Sequence, residues 1–508
     1  MSEPINAKRY FAACAGIWVV FTVFAAVILS LDAFKDSFFI SKKMILAGIS
    51  SLIAFGSVVI FILGKKTRWK PEFVFLGCFI TLAVASISLM PFTTPDAQAQ
   101  FYRAYEISQG KFITKVDQYS KTESDTIQGV SYFDGDITVE GYDEQSGSYL
   151  ETLINSLNRT VDNGKITKLS YTNMSSYSPI GFLPSALGIL VARIISDSFW
   201  LQVYFARIFN LTFAGVVLFF CVKYMPVNKN LIIYSCFSPT LVELYSSMSP
   251  DVVVFATCVA LITYICILRE GTRNANPIVL TILCLCLALE KIVYLPLCGL
   301  IYLIPVSSYP SKRKYLLIST GVVLLSIAVN LAWLRVASTY LIEYNKGVDA
   351  HAQVSGILSN PARYAYTCIL TALTYGDGWI RELGGSFISS ADGTASPYVL
   401  SLLFIIVYSS LLFDGDGAKQ TFFVREKMYI GVIIFINVLL IFTSLYVQWT
   451  AAGSSIIDGI QGRYFLPLVP IATLIVVSNT RQPVKTSLWT FVIGINLCIL
   501  IPAFSVSY

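Results

Sequence analysis

Long apolar stretches recur along this 508-residue chain and constrain its fold more than any other feature. Residues 12–31, 44–64 and 315–336 each approach the roughly 20 residues that a helix needs to cross the hydrocarbon core of a bilayer. Backbone groups in a bilayer must be satisfied within the segment, so such stretches cross as helices. With 55% hydrophobic and 13% charged residues, the chain is predicted to be an all-α polytopic membrane protein.

The apolar pattern predicts a bundle of about thirteen transmembrane helices with a small mixed α/β loop outside the membrane. Two further apolar pieces, residues 180–195 and 363–375, are predicted to be partly inserted or to lie along the surface. Counting them as crossings would place later basic clusters outside. The predicted crossings are residues 12–31, 44–64, 72–91, 200–222, 231–247, 252–268, 277–289, 292–306, 315–336, 397–413, 428–447, 464–479 and 486–503.

Lysine and arginine clusters between the apolar runs predict the orientation of the chain. Short loops rich in these residues stay in the cytoplasm, so the polar, acid-rich stretch between Pro91 and Pro179 is predicted to lie outside. The clusters occupy residues 8–9, 65–70, 223–229, 269–273, 312–314, 419–427 and 481–485.

Five regions follow from this topology. Two of them are large loops outside the membrane, and the other three are groups of transmembrane helices. The regions are N-terminal transmembrane helices (1–91), a large extracytoplasmic loop (92–178), central transmembrane helices (179–336), a second extracytoplasmic loop with a re-entrant segment (337–396) and C-terminal transmembrane helices (397–508).

Cysteine and histidine usage excludes several kinds of site. Ten of the eleven cysteines lie in apolar runs, which predicts buried thiols and no disulfide framework or zinc site. The single histidine, His351, nearly excludes histidine-based triads and histidine-rich metal sites. The net charge of +6 is spread along the chain, so no nucleic-acid partner is predicted.

Asp96 follows Pro95 just beyond a predicted crossing, and residues 97–108 are predicted to form a helix. A carboxylate at the membrane boundary can act as a base towards a hydroxyl or hold a cation near a phosphate. The same residue type is also a good helix cap, and the two roles are compatible. The helix carries Tyr102, Arg103 and Glu106, which are predicted to bind substrate.

Ionisable residues at the outer ends of other predicted crossings point to the same site. Asp251 lies in a short Ser-Pro-Asp turn between two crossings. Its alternative role is purely structural, as part of an ordinary turn. Glu290 and Lys291 interrupt an apolar stretch. The lysine can bind a lipid phosphate as a point charge, or it can form a structural ion pair or extend its ammonium to the membrane interface. Arg463 can bind phosphate oxygens bidentately or anchor a helix at the interface, and Gly462 allows close backbone approach.

Further aromatic and polar residues complete the predicted site. Such rings at a membrane boundary are mostly belt residues, although they can also stack on sugars. The predicted catalytic residues are Asp96 and Asp251. The predicted substrate-binding residues are Arg103, Tyr102, Glu106, Tyr177, Glu290, Lys291, Asp377, Gln461, Arg463 and Tyr464, and no metal ligands are predicted.

Several short motifs, taken in order, resemble a known family. The chain is similar to a bacterial family of predicted membrane proteins in the superfamily of GT-C glycosyltransferases, integral enzymes that use polyprenyl-phosphate sugars. The resemblance covers most of the chain. Within the superfamily, the chain resembles the O-antigen glucosyltransferases. The motifs are residues 91–96, 101–110, 177–179, 250–251, Lys291 and 461–464.

The resemblance implies a GT-C-like bundle with an acid near the acceptor hydroxyl, which by position is Asp96. It implies a second carboxylate at Asp251 and phosphate ligands at Lys291 and Arg463. Relatives commonly have a second acid directly after the first, where this chain has Ala97, and this difference weakens a two-carboxylate metal site. No definite cofactor is predicted, and a divalent cation is left open.

The predicted function is transfer of a hexose, with glucose preferred, from a polyprenyl-phosphate-linked sugar to a surface polysaccharide such as O-antigen. The enzyme would lie in the bacterial inner membrane with its active site facing the periplasm, and its partners are these two substrates and the lipid bilayer. The alternatives are an O-antigen polymerase or ligase and a lipid-linked glycan transporter or flippase. Ionisable groups at the outer ends of the crossings, and not at the midplane, argue against the transporter.

Overall fold

The computed structural model describes residues 96–114, 172–271, 273–340, 347–384 and 422–476, four short strands between residues 120 and 169, and separate positions between residues 72 and 83. The predicted crossings at 12–31, 44–64, 397–413 and 486–503, and most of the one at 72–91, lie outside the described residues.

The described chain is mostly helical, as the apolar pattern predicts. Four 3₁₀ segments, Pro179–Phe182, Ile292–Leu303, Val306–Ser308 and Gly462–Phe465, lie between the longer helices. The α-helices are α1 (Ala97–Ser108), α2 (Thr172–Ser175), α3 (Leu183–Ile195), α4 (Phe199–Tyr224), α5 (Lys229–Ser235), α6 (Pro239–Tyr245), α7 (Asp251–Arg269), α8 (Pro277–Glu290), α9 (Lys312–Ala337), α10 (Ala350–Ser359), α11 (Pro361–Gly384), α12 (Val424–Gln448) and α13 (Leu468–Val476).

Four short strands lie within the predicted large loop. They form two antiparallel pairs, and in the longer pair Ser131 stands opposite Leu169. The strands are β1 (Ser120–Lys121), β2 (Ile127–Gln128), β3 (Ser131–Asp134) and β4 (Ile166–Leu169), with β1 paired to β2 and β3 paired to β4.

Within the described ranges, α4, α7, α9 and α12 are long and apolar enough to cross a membrane. The shortest of these, α7, has 19 residues and at 1.5 Å per residue extends about 28 Å, close to the thickness of the hydrocarbon core. It is also the most deeply buried of the four, with most of its residues enclosed by neighbouring helices. The full number of about thirteen crossings stays a prediction.

The chain reverses direction between α8 and the following 3₁₀ segment. The Cys298 thiol donates to the carbonyl of Cys284 at 3.4 Å, and the amide of Ala275 donates to the carbonyl of Ser308 at 2.8 Å. These two contacts are nearly symmetric about position 291, so the segments run side by side in opposite directions. Lys291 has an extended backbone at the tip of this hairpin, which we call the α8 hairpin.

The prediction of one continuous helix over residues 231–247 is wrong. The structure has two short helices there, α5 and α6, separated at residues 236–238. Pro239 opens α6, and a proline disfavours helical backbone in the residue before it, so Ser238 is extended with ψ of 134°. Both short helices are buried in the main core, where an interrupted helix can be accommodated between neighbours.

The apolar piece predicted at residues 363–375 is part of the longer helix α11. Its exposed apolar residues include Tyr366, Ile369, Leu373 and Ile380, whose spacing places them on one face. Thr371, on the other side, is buried. A one-sided apolar face suits a helix lying at a membrane surface, and whether this segment crosses stays a prediction.

Gly188 in α3 marks the closest approach of that helix to α4. A Cβ atom built at this position would collide with the backbone carbonyl of Phe205. Because a backbone atom cannot move aside cheaply, we expect Gly188→Ala to destabilise the protein by about 1–3 kcal/mol, measured as thermal unfolding in detergent.

Gly321→Ala is the matched control for that prediction, because no heavy atom lies within 4 Å of a Cβ built there. It should leave stability unchanged or raise it by up to about 1 kcal/mol, since alanine favours helix over glycine. Equal stability of Gly188→Ala and Gly321→Ala would contradict the close α3–α4 contact.

Candidate functional site

A cavity of about 400 Å³ lies where the start of α1 and α7, the end of α9 and α12, and the tip of the α8 hairpin converge. Among the described residues, five acidic or basic side chains line it. Four of them, from separate parts of the sequence, form ion pairs with one another and are Asp96, Asp251, Lys291 and Arg463. The fifth is Glu290.

Asp96 precedes α1 in a left-handed backbone conformation, with φ of 63°. L-residues other than glycine seldom adopt this conformation, and it is often found at functional sites. The Asp96 carbonyl accepts the amide of Gln100 at 2.9 Å and so begins the helix, but the side chain makes no capping hydrogen bond. Its carboxylate instead accepts from the guanidinium of Arg463 at 3.2 Å. A role as helix cap alone is therefore excluded.

The four charged residues form an alternating chain of opposite charges. Lys291 donates to one oxygen of Asp251, and the Nε of Arg463 lies 4.0 Å from the other. Arg463 then reaches Asp96 with its Nη2 at 3.2 Å. The side chains of Arg463, Asp251 and Lys291 are only 6%, 9% and 11% exposed, whereas that of Asp96 is 34% exposed. Charges this deeply buried require opposite partners, and the alternation supplies them.

Local structure explains how these residues reach the cavity. Asp251 is the first residue of α7, where the helix dipole favours a carboxylate, and its amide donates to the Ser249 hydroxyl at 3.2 Å. Lys291 stands at the tip of the α8 hairpin because the backbone is extended there. Gln461, also extended, turns the chain into the 3₁₀ segment that carries Arg463.

Two tyrosines and a glutamine support the two cations. The Lys291 ammonium lies 5.2 Å from the ring centres of both Tyr177 and Tyr464, within range for a cation–π contact. The Gln461 side-chain oxygen accepts from the Nε of Arg463 at 2.7 Å. All three supporting residues line the cavity, as does Glu290. The structure thus brings together eight of the predicted site residues.

Four predicted substrate ligands lie outside the cavity lining, which requires a correction. Arg103 is fully buried two helical turns beyond Asp96, about 10 Å along α1, and donates to Glu106 at 2.7 Å. Arg103 also donates to the Thr114 hydroxyl at 3.0 Å. Burial raises the pKa of Glu106, although the nearby charge of Arg103 acts to lower it. Tyr102 is buried in a hydrophobic cluster together with Phe101 and Phe199. Asp377 is exposed and pairs with Arg381 at 3.2 Å.

Gly462 accommodates a helix and not a ligand, which corrects a second expectation. A Cβ atom at this position would lie 2.5 Å from the carbonyl oxygen of Trp379 and 2.6 Å from the Cβ of Glu382. The Gly462 amide donates to the carboxylate of Glu382, and the Trp379 indole donates to the carbonyl of Ile460 at 3.1 Å. Helix α11 therefore braces the segment that carries Arg463.

The sequence analysis missed several polar and aromatic residues of the cavity wall. Trp333 is fixed by its indole N–H, which donates to the carbonyl of Ser176 at 3.0 Å. The signal available in the sequence was a polar residue, Asn330, within an apolar crossing, because such residues usually face the interior of a bundle. The missed residues include Gln100, Asn330, Trp333, Gln448 and Trp449.

A divalent cation is the one cofactor that the sequence leaves open. Among the described residues, no group of three or more histidine, cysteine or acidic side chains lies close enough to hold a metal ion. Asp96, Asp251, Lys291 and Arg463 pair with one another, and Glu290 accepts from the Thr257 hydroxyl.

Residues 78–472 match the model of a family described as predicted membrane protein (DUF2142). The chain belongs to this family. The matched region contains the whole charged chain from Asp96 to Arg463 and the four helices of the described ranges that are long and apolar enough to cross a membrane. Neither a curated protein nor a solved structure matches the chain. Family membership therefore supports the membrane assignment.

Proposed function

We propose that the protein is a GT-C-type glycosyltransferase that moves a hexose, with glucose the preferred candidate, from a polyprenyl-phosphate donor to a hydroxyl of a cell-surface glycan such as O-antigen. The observation that carries this proposal is the convergence of two buried cations, Lys291 and Arg463, with the more exposed carboxylate of Asp96 in one cavity. The cations would bind the donor phosphate, and the carboxylate would remove the proton of the acceptor hydroxyl.

The two cations suit a lipid phosphate in different ways. Arginine presents a planar fork that can bind two phosphate oxygens, and lysine acts as a point charge. Asp251 contacts Lys291 closely and lies 4.0 Å from Arg463, so it holds both cations in position. We therefore assign Asp251 a positioning role in place of the predicted catalytic one.

Asp96 is the carboxylate that a phosphate would displace. It is the most exposed member of the charged chain and contacts Arg463 at 3.2 Å, whereas Asp251 is buried against Lys291. A phosphate bound at Arg463 competes for the same N–H donors. Binding of the donor would thus release Asp96 from its ion pair and make its carboxylate available to an acceptor hydroxyl.

The proposed step is a single displacement. The acceptor oxygen attacks the anomeric carbon of the hexose, and the bond between that carbon and the phosphate oxygen breaks. The electron pair leaves with the polyprenyl phosphate, whose added charge Lys291 and Arg463 stabilise. The hydroxyl proton passes to Asp96, and the configuration at the anomeric carbon is inverted.

The distribution of basic residues supports a periplasmic position for the cavity. Helix α7 runs from Asp251 in the cavity to Arg269 at its far end, where Arg269 pairs with Glu426 near the start of α12 at 2.7 Å. The basic start of α9, Lys312 to Lys314, is likewise at the end of its helix opposite to the cavity. Because basic ends stay in the cytoplasm, the cavity would open on the outer face of the bacterial inner membrane.

Reconstituted transfer tests the proposed function. Purified protein in liposomes would receive polyprenyl-phosphate glucose, then other polyprenyl-phosphate hexoses, with lipopolysaccharide as acceptor. We expect additions of single hexoses by mass analysis and release of one polyprenyl phosphate for each. Lack of transfer from every donor would contradict the proposal, and a change in glycan chain length would favour the polymerase or ligase alternative. The surface glycans of cells with and without the protein should differ by the same single hexoses.

A further inference from the structure

Three buried oxygen atoms of the cavity-lining residues have no hydrogen-bond donor among the described residues. They are the side-chain Oε1 of Gln100, Oε2 of Glu290 and Oδ1 of Asn330. Each of these residues is only 2% exposed. Buried polar atoms are usually paired, and an unpaired one is costly, so three in the wall of one cavity require an explanation.

All three atoms can accept hydrogen bonds, which points to donors as the missing partners. The cations of the same cavity already have carboxylate partners. The groups that would satisfy the unpaired oxygens are therefore donors. One carboxylate oxygen and two neutral amide oxygens suit the hydroxyl groups of an uncharged polyol.

Two of the three residues form one corner of the cavity. The amide nitrogen of Asn330 donates to the carbonyl of Ala288, which fixes the amide so that Oδ1 remains the acceptor. Glu290 uses Oε1 to accept from the Thr257 hydroxyl at 3.1 Å, which leaves Oε2. The bond to Ala288 places the side chain of Asn330 against the end of α8, where Glu290 lies.

An aromatic ring stands beside these acceptors. Trp333 follows Asn330 by one helical turn on α9, so the two side chains lie on the same face. Its indole N–H is held by the carbonyl of Ser176 at 3.0 Å, which fixes the plane of the ring. A fixed ring next to hydrogen-bond acceptors matches a sugar, which has apolar C–H faces and hydroxyl edges.

We propose that Glu290, Asn330 and Trp333 form the subsite for the sugar ring of the donor. Hydroxyls of the ring donate to Glu290 and Asn330, while Trp333 covers an apolar face. Glu290 directly precedes Lys291, the proposed phosphate ligand, so the subsite adjoins the place where the donor phosphate binds. Gln100 lies one turn along α1 from Asp96, the proposed base, and is not assigned to this subsite. This inference rests on the proposed function and assigns residues that the resemblance did not.

The test compares binding of two lipids, polyprenyl phosphate and polyprenyl-phosphate glucose, to the purified full-length protein in nanodiscs. The wild type should bind the glucose lipid more tightly. Glu290→Gln and Asn330→Ala should each reduce that preference about tenfold, the effect expected for a lost hydrogen bond to a buried acceptor. Their affinity for polyprenyl phosphate should match that of the wild type.

Two features keep the test decisive. Glu290→Gln keeps an oxygen that can accept from Thr257, so it guards against misfolding. Leu331→Ala, exposed on the neighbouring position of α9, is the matched control and should retain the full preference.

The possible outcomes separate the subsite from the proposed function. Variants that keep the preference of the wild type, or that lose affinity for both lipids equally, would overturn the subsite and leave the proposed function standing. A wild-type protein that binds neither lipid would overturn the proposed function, and the subsite with it.

Discussion

Asp96→Asn is expected to lower the rate of hexose transfer by at least about 100-fold, because general-base catalysis contributes about 10²–10⁴-fold and an amide cannot accept the proton. The substitution keeps the shape of the side chain and an oxygen for the N–H of Arg463. The measurement is the initial rate of transfer in membranes, with protein level and insertion confirmed.

Binding should respond in the opposite way to catalysis. The asparagine removes a negative charge that competes with phosphate for Arg463, so Asp96→Asn should bind polyprenyl phosphate at least as tightly as the wild type. A variant that merely misfolds would lose both properties.

Asp377→Asn is the matched control, since it neutralises a carboxylate that is exposed and does not line the cavity. Its rate should stay within about twofold of the wild type, as is usual for exposed positions away from a site. If Asp96→Asn transferred hexose at the rate of Asp377→Asn, Asp96 would not be the base.

Lys291→Met is expected to destabilise the protein by about 3–5 kcal/mol, the usual cost of removing one partner from a buried ion pair. Among the described residues, Asp251 would keep Arg463, at 4.0 Å, as its one counter-charge. The measurement is the free energy of unfolding in mixed micelles, and the same variant should lose transfer because the donor phosphate loses a ligand.

The double variant Asp251→Asn with Lys291→Met separates pairing from packing. If the cost comes from the uncompensated carboxylate, the double variant should be more stable than Lys291→Met alone. Lys314→Met, an exposed lysine at the start of α9, should change stability by less than about 0.5 kcal/mol. Equal stability of Lys291→Met and Lys314→Met would contradict the buried pair.

The charged centre of the site could be predicted from the sequence for an energetic reason. Asp251, Lys291 and Arg463 stand at the ends of apolar runs, where an unpaired charge is costly and a partner must be found. Helix α1 was predicted with its observed bounds, Ala97–Ser108, directly after Pro95 and Asp96.

The rest of the site depends on packing that no local pattern reveals. Arg103 and Glu106 have the composition of substrate ligands, but they pair with each other inside the fold. The role of Asn330 depends on how α9 is rotated against the end of α8, and that of Gly462 on the approach of α11. The break before Pro239, in contrast, was visible in the sequence and was overlooked because the surrounding run is apolar.

The most direct test is an electron cryo-microscopy structure of the protein in nanodiscs with polyprenyl-phosphate glucose. We predict that the phosphate will lie within about 3 Å of both the Lys291 ammonium and the Arg463 guanidinium, with Asp96 released from Arg463. A phosphate bound elsewhere, or Asp96 still paired with Arg463 in the presence of the bound donor, would contradict the account.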